Sequence, residues 1–397
     1  MRALAIVYAT IFLDVLGLGV LIPVLPYYVR QFNTDAATVG WLSVSFSAAQ
    51  FLASPFLGAL SDRFGRRPII LWNILGSAGA YYLFGWANSL WLLMTARVIE
   101  GITGGSISTA QAYIADVTPP QERMKRFGLI GAVFGLGFIL GPAFGGLLSK
   151  ISLAAPAYAA GTLCLLAAVF GFLYLPESLP PEKRRQEKMA LADLNPFLRI
   201  SQALARVELR SLLLAIFAVN VAFSGLQSNF AVFTLERFGF GPTENSYVFI
   251  YIGALSIFMQ GVVVRRLPKA WNPLPVVAVG LLLMAIGFVG IAQSVQDWHM
   301  FPAIAIMAFG NGVAAPTLTS LISQRSAAQE QGSILGATQG VLSSTRILGP
   351  LYAGYAFDWL GSGSPYTIGA LLTALALGII LQLRAQESHT TAADKHL

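Results

Sequence analysis

The sequence predicts an all-α membrane protein, with twelve transmembrane helices arranged as two pseudo-symmetric six-helix halves. Three observations predict it. Of the 397 residues, 56% are hydrophobic and only 11% are charged, with a mean hydropathy of +0.68; soluble domains carry about a quarter charged residues. The apolar residues fall in near-continuous runs of about twenty, the length a helix needs to cross a bilayer core, and not in the ten-residue alternation of barrel strands. Finally, the second half of the chain repeats landmarks of the first at a fixed offset of 208 residues.

The twelve apolar segments are 3–26, 36–60, 68–87, 90–114, 126–149, 155–175, 210–234, 244–265, 274–293, 298–322, 332–357 and 365–384. The first is too long for a secretory signal and has no small-residue cleavage site, so it counts as a span. With the N-terminus cytoplasmic, 20 of the 25 basic residues fall on the inner side and three (Arg30, Lys150, Arg237) on the outer. Arg97 and Arg346 lie inside spans. This bias places both termini in the cytoplasm and the protein in the inner (plasma) membrane. It also accounts for the formal charge of +7 without nucleic acid. The single cysteine, Cys164, excludes an internal disulfide. The three histidines, His299, His389 and His396, fall in a loop and the tail.

The Pro-led, charged stretch 176–209 reads as a cytoplasmic linker between 1–175 and 210–384, and 385–397 as a cytoplasmic tail. Across it Gly104 aligns with Gly312, Gln121 with Gln329, Glu122 with Glu330 and Gly128 with Gly336. Gly141-Pro142 then aligns with Gly349-Pro350. Six spans per half is an even number, so the halves are parallel repeats about an axis along the membrane normal, an arrangement associated with transporters that rock about a central site.

Between the second and third spans lies GALSDRFGRRPIIL, residues 58–71. Gly58 allows close helix approach. Asp62 and Arg66 are one turn apart if the helix extends that far, and Gly65 can break it. The fifth span holds GLIGAVFGLGFILGPAFGGLL, residues 128–148, whose Gly137, Gly141, Gly145 and Gly146 with Pro142 read as a helix-packing face with a kink.

The first stretch resembles the signature loop of the major facilitator superfamily, and the second the antiporter signature within it. The resemblance implies that Asp62, Arg66 and Asp116 form a cytoplasmic gate network, latching the halves when the transporter is closed to the cytoplasm. It also implies export by proton antiport. Over nearly the whole chain the sequence is similar to drug:proton antiporters of the tetracycline-efflux type, through FLDVLGLGVLIPVLP (12–26), ARVIEGITGG (96–105) and AYIADVTPPQER (112–123). It departs from them at Ala80 and Met284, where those exporters carry acids, and in having no histidine in the eighth span.

The deeply placed acids of the spans are Asp14 and Glu100, roughly 16 Å and 15 Å from the nearer membrane face at the helical rise, near the midplane of a core about 30 Å thick. Ionisable residues there face water or a partner. In the superfamily fold spans 1, 4, 7 and 10 line the central cavity, so both acids are expected to carry protons, with Arg97 setting their proton affinity. Two plainer readings stand beside this: Glu100 as a permanent partner of Arg97, three residues away, and Asp14 as a helix-packing acid hydrogen-bonded to backbone or to Tyr113 or Gln111. Arg346 is the positional twin of Phe138 and either receives an anionic substrate group, pairs with an acid in one state, or merely packs or snorkels. Asn220, Gln227, Asn229, Asn311 and Gln339 place amides along spans 7, 10 and 11, as cavity residues or as helix joints.

No metal cluster, nucleotide-binding loop or catalytic triad is present in the sequence, so no cofactor and no enzyme activity is expected. The expected partners are a small-molecule substrate, protons and the lipid bilayer, with the protein a monomer. The expected function is export of a small, fairly hydrophobic compound by proton antiport. The alternatives are a facilitator or proton symporter for a sugar-like or organic-ion metabolite, and a non-transporting receptor or scaffold.

Overall fold

The computed structural model describes residues 2–32, 35–104, 106–184, 200–201, 203–259, 272–325 and 331–394. Most of the linker and the end of the eighth segment, with Arg265, Arg266 and Lys269, lie outside these residues. Every one of the twelve segments appears as helix, ten as single elements and two as broken pairs. The first segment forms α1 (Arg2–Leu21) and α2 (Leu25–Arg30), parted at Ile22-Pro23-Val24. α3 (Ala36–Phe64) and α4 (Arg66–Trp86) follow. The fourth segment forms α5 (Leu90–Thr103) and α6 (Ser106–Asp116). The rest are α7 (Pro120–Leu148), α8 (Ala155–Tyr174), α9 (Val207–Phe238), α10 (Pro242–Phe258), α11 (Pro273–Ala292), α12 (Asp297–Gln324), α13 (Gln331–Leu360) and α14 (Ser364–Asp394).

Local chemistry explains where these helices begin and stop. Asp35 caps α3 by accepting from Thr38 N at 3.0 Å and Thr38 Oγ1 at 2.7 Å, bonds that hold its carboxyl below the usual range. Asn272 caps α11 through Leu274 N at 3.0 Å. Gly239 ends α9 in the left-handed region. Among the described residues, seven helices are long and apolar enough to cross a membrane by length and composition, among them α3, α8, α11 and α12. Large apolar side chains such as Trp72, Trp91, Phe172 and Trp359 point outward, as a lipid solvent requires.

Two compact units can be distinguished: Met1–Asn195 with Phe240–Gly253, and Pro196–Gly239 with Ala254–Leu397. The start of α10 thus belongs with the first unit. Asn245 Nδ2 donates to the Tyr27 hydroxyl at 2.8 Å, Tyr27 donates to Phe240 O, and Gly146 lies against Ser246. Within the first unit α1 packs on α7 and α8, and α4 packs on α8 and α5. Within the second, α9 packs on α13 and α14, and α11 packs on α14 and α12. These are the same pairings shifted by six spans.

The repeat extends to single residues. A Cβ on Gly141 of α7 would stand 2.7 Å from Gly19 Cα and 2.8 Å from Leu16 O of α1. On its twin Gly349 of α13, a Cβ would stand 2.6 Å from Ser224 Cβ and 2.8 Å from Gly225 N of α9. Leu16 and Ser224 are themselves 208 apart. Gly137 and Gly145 approach α1 in the same way, at Val15 and at Val20 O. Gly58 behaves otherwise: a Cβ there would meet nothing within 4 Å, so close approach at that position is not used within its unit. Backbone cannot retreat as a flexible side chain can, so Gly141→Leu or Gly349→Leu costs about 3 kcal/mol or more. The expected result is loss of a monodisperse gel-filtration peak, whereas Gly58→Leu elutes as wild type.

Candidate functional site

The membrane interior of the first unit holds a charged cluster built on four helices. Gly101 on α5 lies against Phe46 O, which brings α5 tightly onto α3. One turn earlier, Arg97 therefore reaches across α3: its guanidinium sits 4.4 Å from the centre of the Phe46 ring and its Nε approaches Leu42 O at 3.5 Å. Arg97 Nη1 also pairs with Glu100 Oε2, and both residues are only 4% exposed. Tyr81 of α4 stands beside Glu100 and interacts with it electrostatically. The Tyr81 hydroxyl rests on Gly17 of α1, one turn beyond Asp14. Asp14 and Glu100 act electrostatically on both Tyr81 and Cys164 of α8, so the two acids share one environment. Asp14 is partly exposed, whereas Glu100 is sealed. The Tyr113 hydroxyl donates elsewhere, to Pro176 O at 2.9 Å.

The fourth segment breaks one turn beyond Glu100. Gly104 N bonds to Glu100 O, and Gln50 Nε2 from α3 donates to Gly104 O at 2.8 Å. Gly104, Gly105 and Ser106 are weak helix formers, and the Gln50 amide supplies a partner for a carbonyl at the break. Breaks of this kind in transporter helices accompany binding sites.

At one end of the same unit, Arg66 Nη1 lies 2.6 Å from Asp62 Oδ1, and Arg66 Nε lies 3.1 Å from Asp116 Oδ2. Asp62 and Arg66 do not share a continuous helix. α3 stops at Phe64, Gly65 turns at φ 105°, and Arg66 opens α4. The pair therefore bridges the break, with the Ser61 hydroxyl as a further acceptor from Arg66 at 2.6 Å.

Sequence reasoning missed the group that organises this corner. Glu177, just beyond α8, accepts from Arg66 N at 2.8 Å, Arg67 N at 3.2 Å, and its near neighbours Ser178 N and Leu179 N at 3.0 Å each. Ser178 Oγ donates to Asp116 Oδ2 at 3.1 Å. A side chain on Gly65 would run into Glu177. The signal was available: α4 opens on Gly-Arg-Arg with no Ser, Thr, Asp or Asn at its cap position, so its orphan N–H groups needed a distant acceptor. Replacing Glu177 by Ala leaves them unsatisfied and costs about 2 kcal/mol. Thermal melting of the purified protein is expected to show that loss, with Glu177→Gln intermediate.

In the second unit the amides are dispersed. Asn220 Nδ2 donates to Ile216 O of its own helix at 2.7 Å. Asn229 is buried and its Oδ1 has no partner among the described residues, while Gln227 and Asn311 are partly exposed. Gln339 and Arg346 of α13 are exposed.

Comparison with known proteins shows the family of the chain. Residues 7–350 match the model of the Major Facilitator Superfamily. The tetracycline resistance protein of class C from Escherichia coli is 33% identical over 384 residues, covering 95% of this chain and 96% of that protein. Multidrug resistance protein 2 of Bacillus subtilis is 26% identical, covering 98% and 97%. The crystal structure of the human organic anion transporter MFSD10 superposes with a TM-score of 0.73 at 26% identity, covering 96% and 99%. The chain belongs to the Major Facilitator Superfamily: it is a multi-pass membrane transporter of twelve helices, and not an enzyme.

Proposed function

We propose that this major facilitator exports a small, fairly hydrophobic organic compound in exchange for protons, by alternating access, from the inner membrane with both termini cytoplasmic. The observation that carries this reading is the cluster of Asp14, Tyr81, Arg97 and Glu100 in the interior of the first unit. A carboxylate at that depth is costly unless it has a partner or a proton to take. Glu100 is sealed and paired with Arg97; the partial exposure of Asp14 makes it the acid to which we assign proton exchange. A proton on Glu100 would release Arg97, and Tyr81 ties that event to the helix bearing Asp14. Protonation from outside thus weakens the state that holds substrate, and deprotonation toward the cytoplasm restores it. The Asp62–Arg66–Asp116 network and Glu177 hold the cytoplasmic ends of α3, α4 and α6 in one of the two states.

The named relatives support export of drug-like compounds, and the glycine contacts of α7 on α1 agree with the antiporter signature. Purified protein in proteoliposomes, tested with a panel of amphipathic compounds under an imposed pH gradient, separates the readings. Accumulation on the acidic side supports antiport. Accumulation that follows protons to the other side shows symport and overturns the proposal.

A further inference from the structure

Arg346 is an unusual residue for its position. It lies fifteen residues from the start of α13 and fourteen from its end, about 21 Å or more of helix on either side, too deep for its side chain to reach an interface. In the second unit the acids on described helices stand at or near helix ends: Glu208, Glu236, Asp297, Asp358, Glu387 and Asp394. Asp358, on the same helix, is twelve residues away, about 18 Å. Among the described residues Arg346 has no hydrogen bond or ion pair, and no charged group acts on it. Its side chain is exposed although it stands midway along the helix.

The helix itself shows which way this surface faces. At 100° per residue, Gln339, Ser343 and Arg346 fall within an arc of about 60°. Leu348, Tyr355 and Trp359 lie about 180° away, and Leu348 and Trp359 are exposed large hydrophobics. Between the two arcs Thr345, Gly349 and Ala356 are buried, and Gly349 contacts α9. Around Arg346, α13 therefore has two accessible faces, one apolar and suited to lipid, one polar and carrying the guanidinium; further along the polar arc Pro350 and Phe357 are buried, so that face is open only in the first half of the helix. A cation held in the second without a protein counter-ion is a binding site for an anion.

We propose that Arg346, with Ser343 and Gln339 beside it, binds the anionic group of the transported compound, a carboxylate or sulfonate on a hydrophobic body. The inference rests on the export reading for its substrate. The guanidinium offers a planar pair of donors to such a group, and the amide and hydroxyl one or two turns away supply further polar contacts. A neutral compound of the same shape leaves Arg346 unneutralised and binds more weakly.

Two measurements test this, and neither needs a proton gradient. In the first, purified protein is titrated with 1-naphthoate and 4-phenylbutyrate and with the neutral amide of each, following thermal stabilisation. Wild type is expected to bind the carboxylates at least tenfold tighter than the amides; Arg346→Lys keeps that preference and Arg346→Gln erases it. Equal affinity for acid and amide in wild type, or a preference that survives Arg346→Gln, overturns the proposal. In the second, Ser343→Cys is labelled from water by anionic sulfonatoethyl and by cationic trimethylammonioethyl methanethiosulfonate. The chain's single native cysteine is buried, so the background is low. The anionic reagent is expected to be favoured about tenfold more with Arg346 present than in the Arg346→Gln background; equal ratios, or no labelling, count against an anion-attracting, water-facing site. A protein that passes both tests and pumps nothing uphill retains the anion site and refutes export. One that pumps uphill and ignores ligand charge refutes the anion site alone.

Discussion

Asp14→Asn is expected to abolish uphill transport while leaving downhill exchange of the same compound intact. One proton exchanged per substrate across two pH units sustains a concentration ratio of about a hundredfold, since each unit is worth about 1.36 kcal/mol. The amide keeps the size and hydrogen-bonding capacity of the carboxyl but cannot carry a proton at any working pH, so the ratio in proteoliposomes falls to about one. The partial exposure of Asp14, against the sealed Glu100, is the reason for ranking it first. Glu100→Gln is expected to slow the cycle more than to uncouple it, because the residue is engaged by Arg97 and Tyr81. An Asp14→Asn variant that still concentrates substrate against its gradient would remove Asp14 from the coupling scheme.

The second large effect lies in the buried pair itself. Replacing Arg97 by Met strands the Glu100 carboxylate in a site only 4% exposed, which costs about 3–5 kcal/mol. Replacing both residues by Met removes the stranded charge along with its partner, and such isosteric swaps of buried pairs are often neutral or stabilising. The double variant is therefore expected to melt near wild type, although the single one does not. The double-mutant cycle gives the coupling directly. A single Arg97→Met protein that melts like wild type would mean that Glu100 draws its support from Tyr81 and not from the guanidinium. Transport separates stability from function: the double variant folds but cannot use the release of Arg97 on protonation.

The residues that made these effects legible in the sequence were those whose chemistry is wrong for lipid. Asp14, Arg97, Glu100 and Arg346 stood out because charge in an apolar run demands a partner or water. The Gly141-Pro142 and Gly349-Pro350 pair stood out because it recurs in register, and the equivalent contacts of α7 on α1 and of α13 on α9 are the three-dimensional form of that recurrence. Tyr81 was invisible for the opposite reason. An aromatic in an apolar span looks like packing until the helix opposite is known, and only Gly17 on α1 leaves room for its hydroxyl. Glu177 looked like the first charge of a linker because nothing local shows that it turns back to cap α4.

By itself the sequence determined the environment, the number of spans, the two-fold repeat and which side chains could not be inert in a bilayer. These follow from transfer energies and helical rise, which are properties of each segment alone. Tertiary structure decided what each of those side chains meets. Glu100 meets Arg97 and Tyr81 because Gly101 lets α5 touch α3; the fourth segment stops at Gly104 where Gln50 can satisfy its carbonyl; and among the described residues Arg346 meets no acid, because the acids on the helices of its unit stand at or near helix ends. Contacts between segments depend on where glycines allow backbones to approach, and that is a property of pairs of helices.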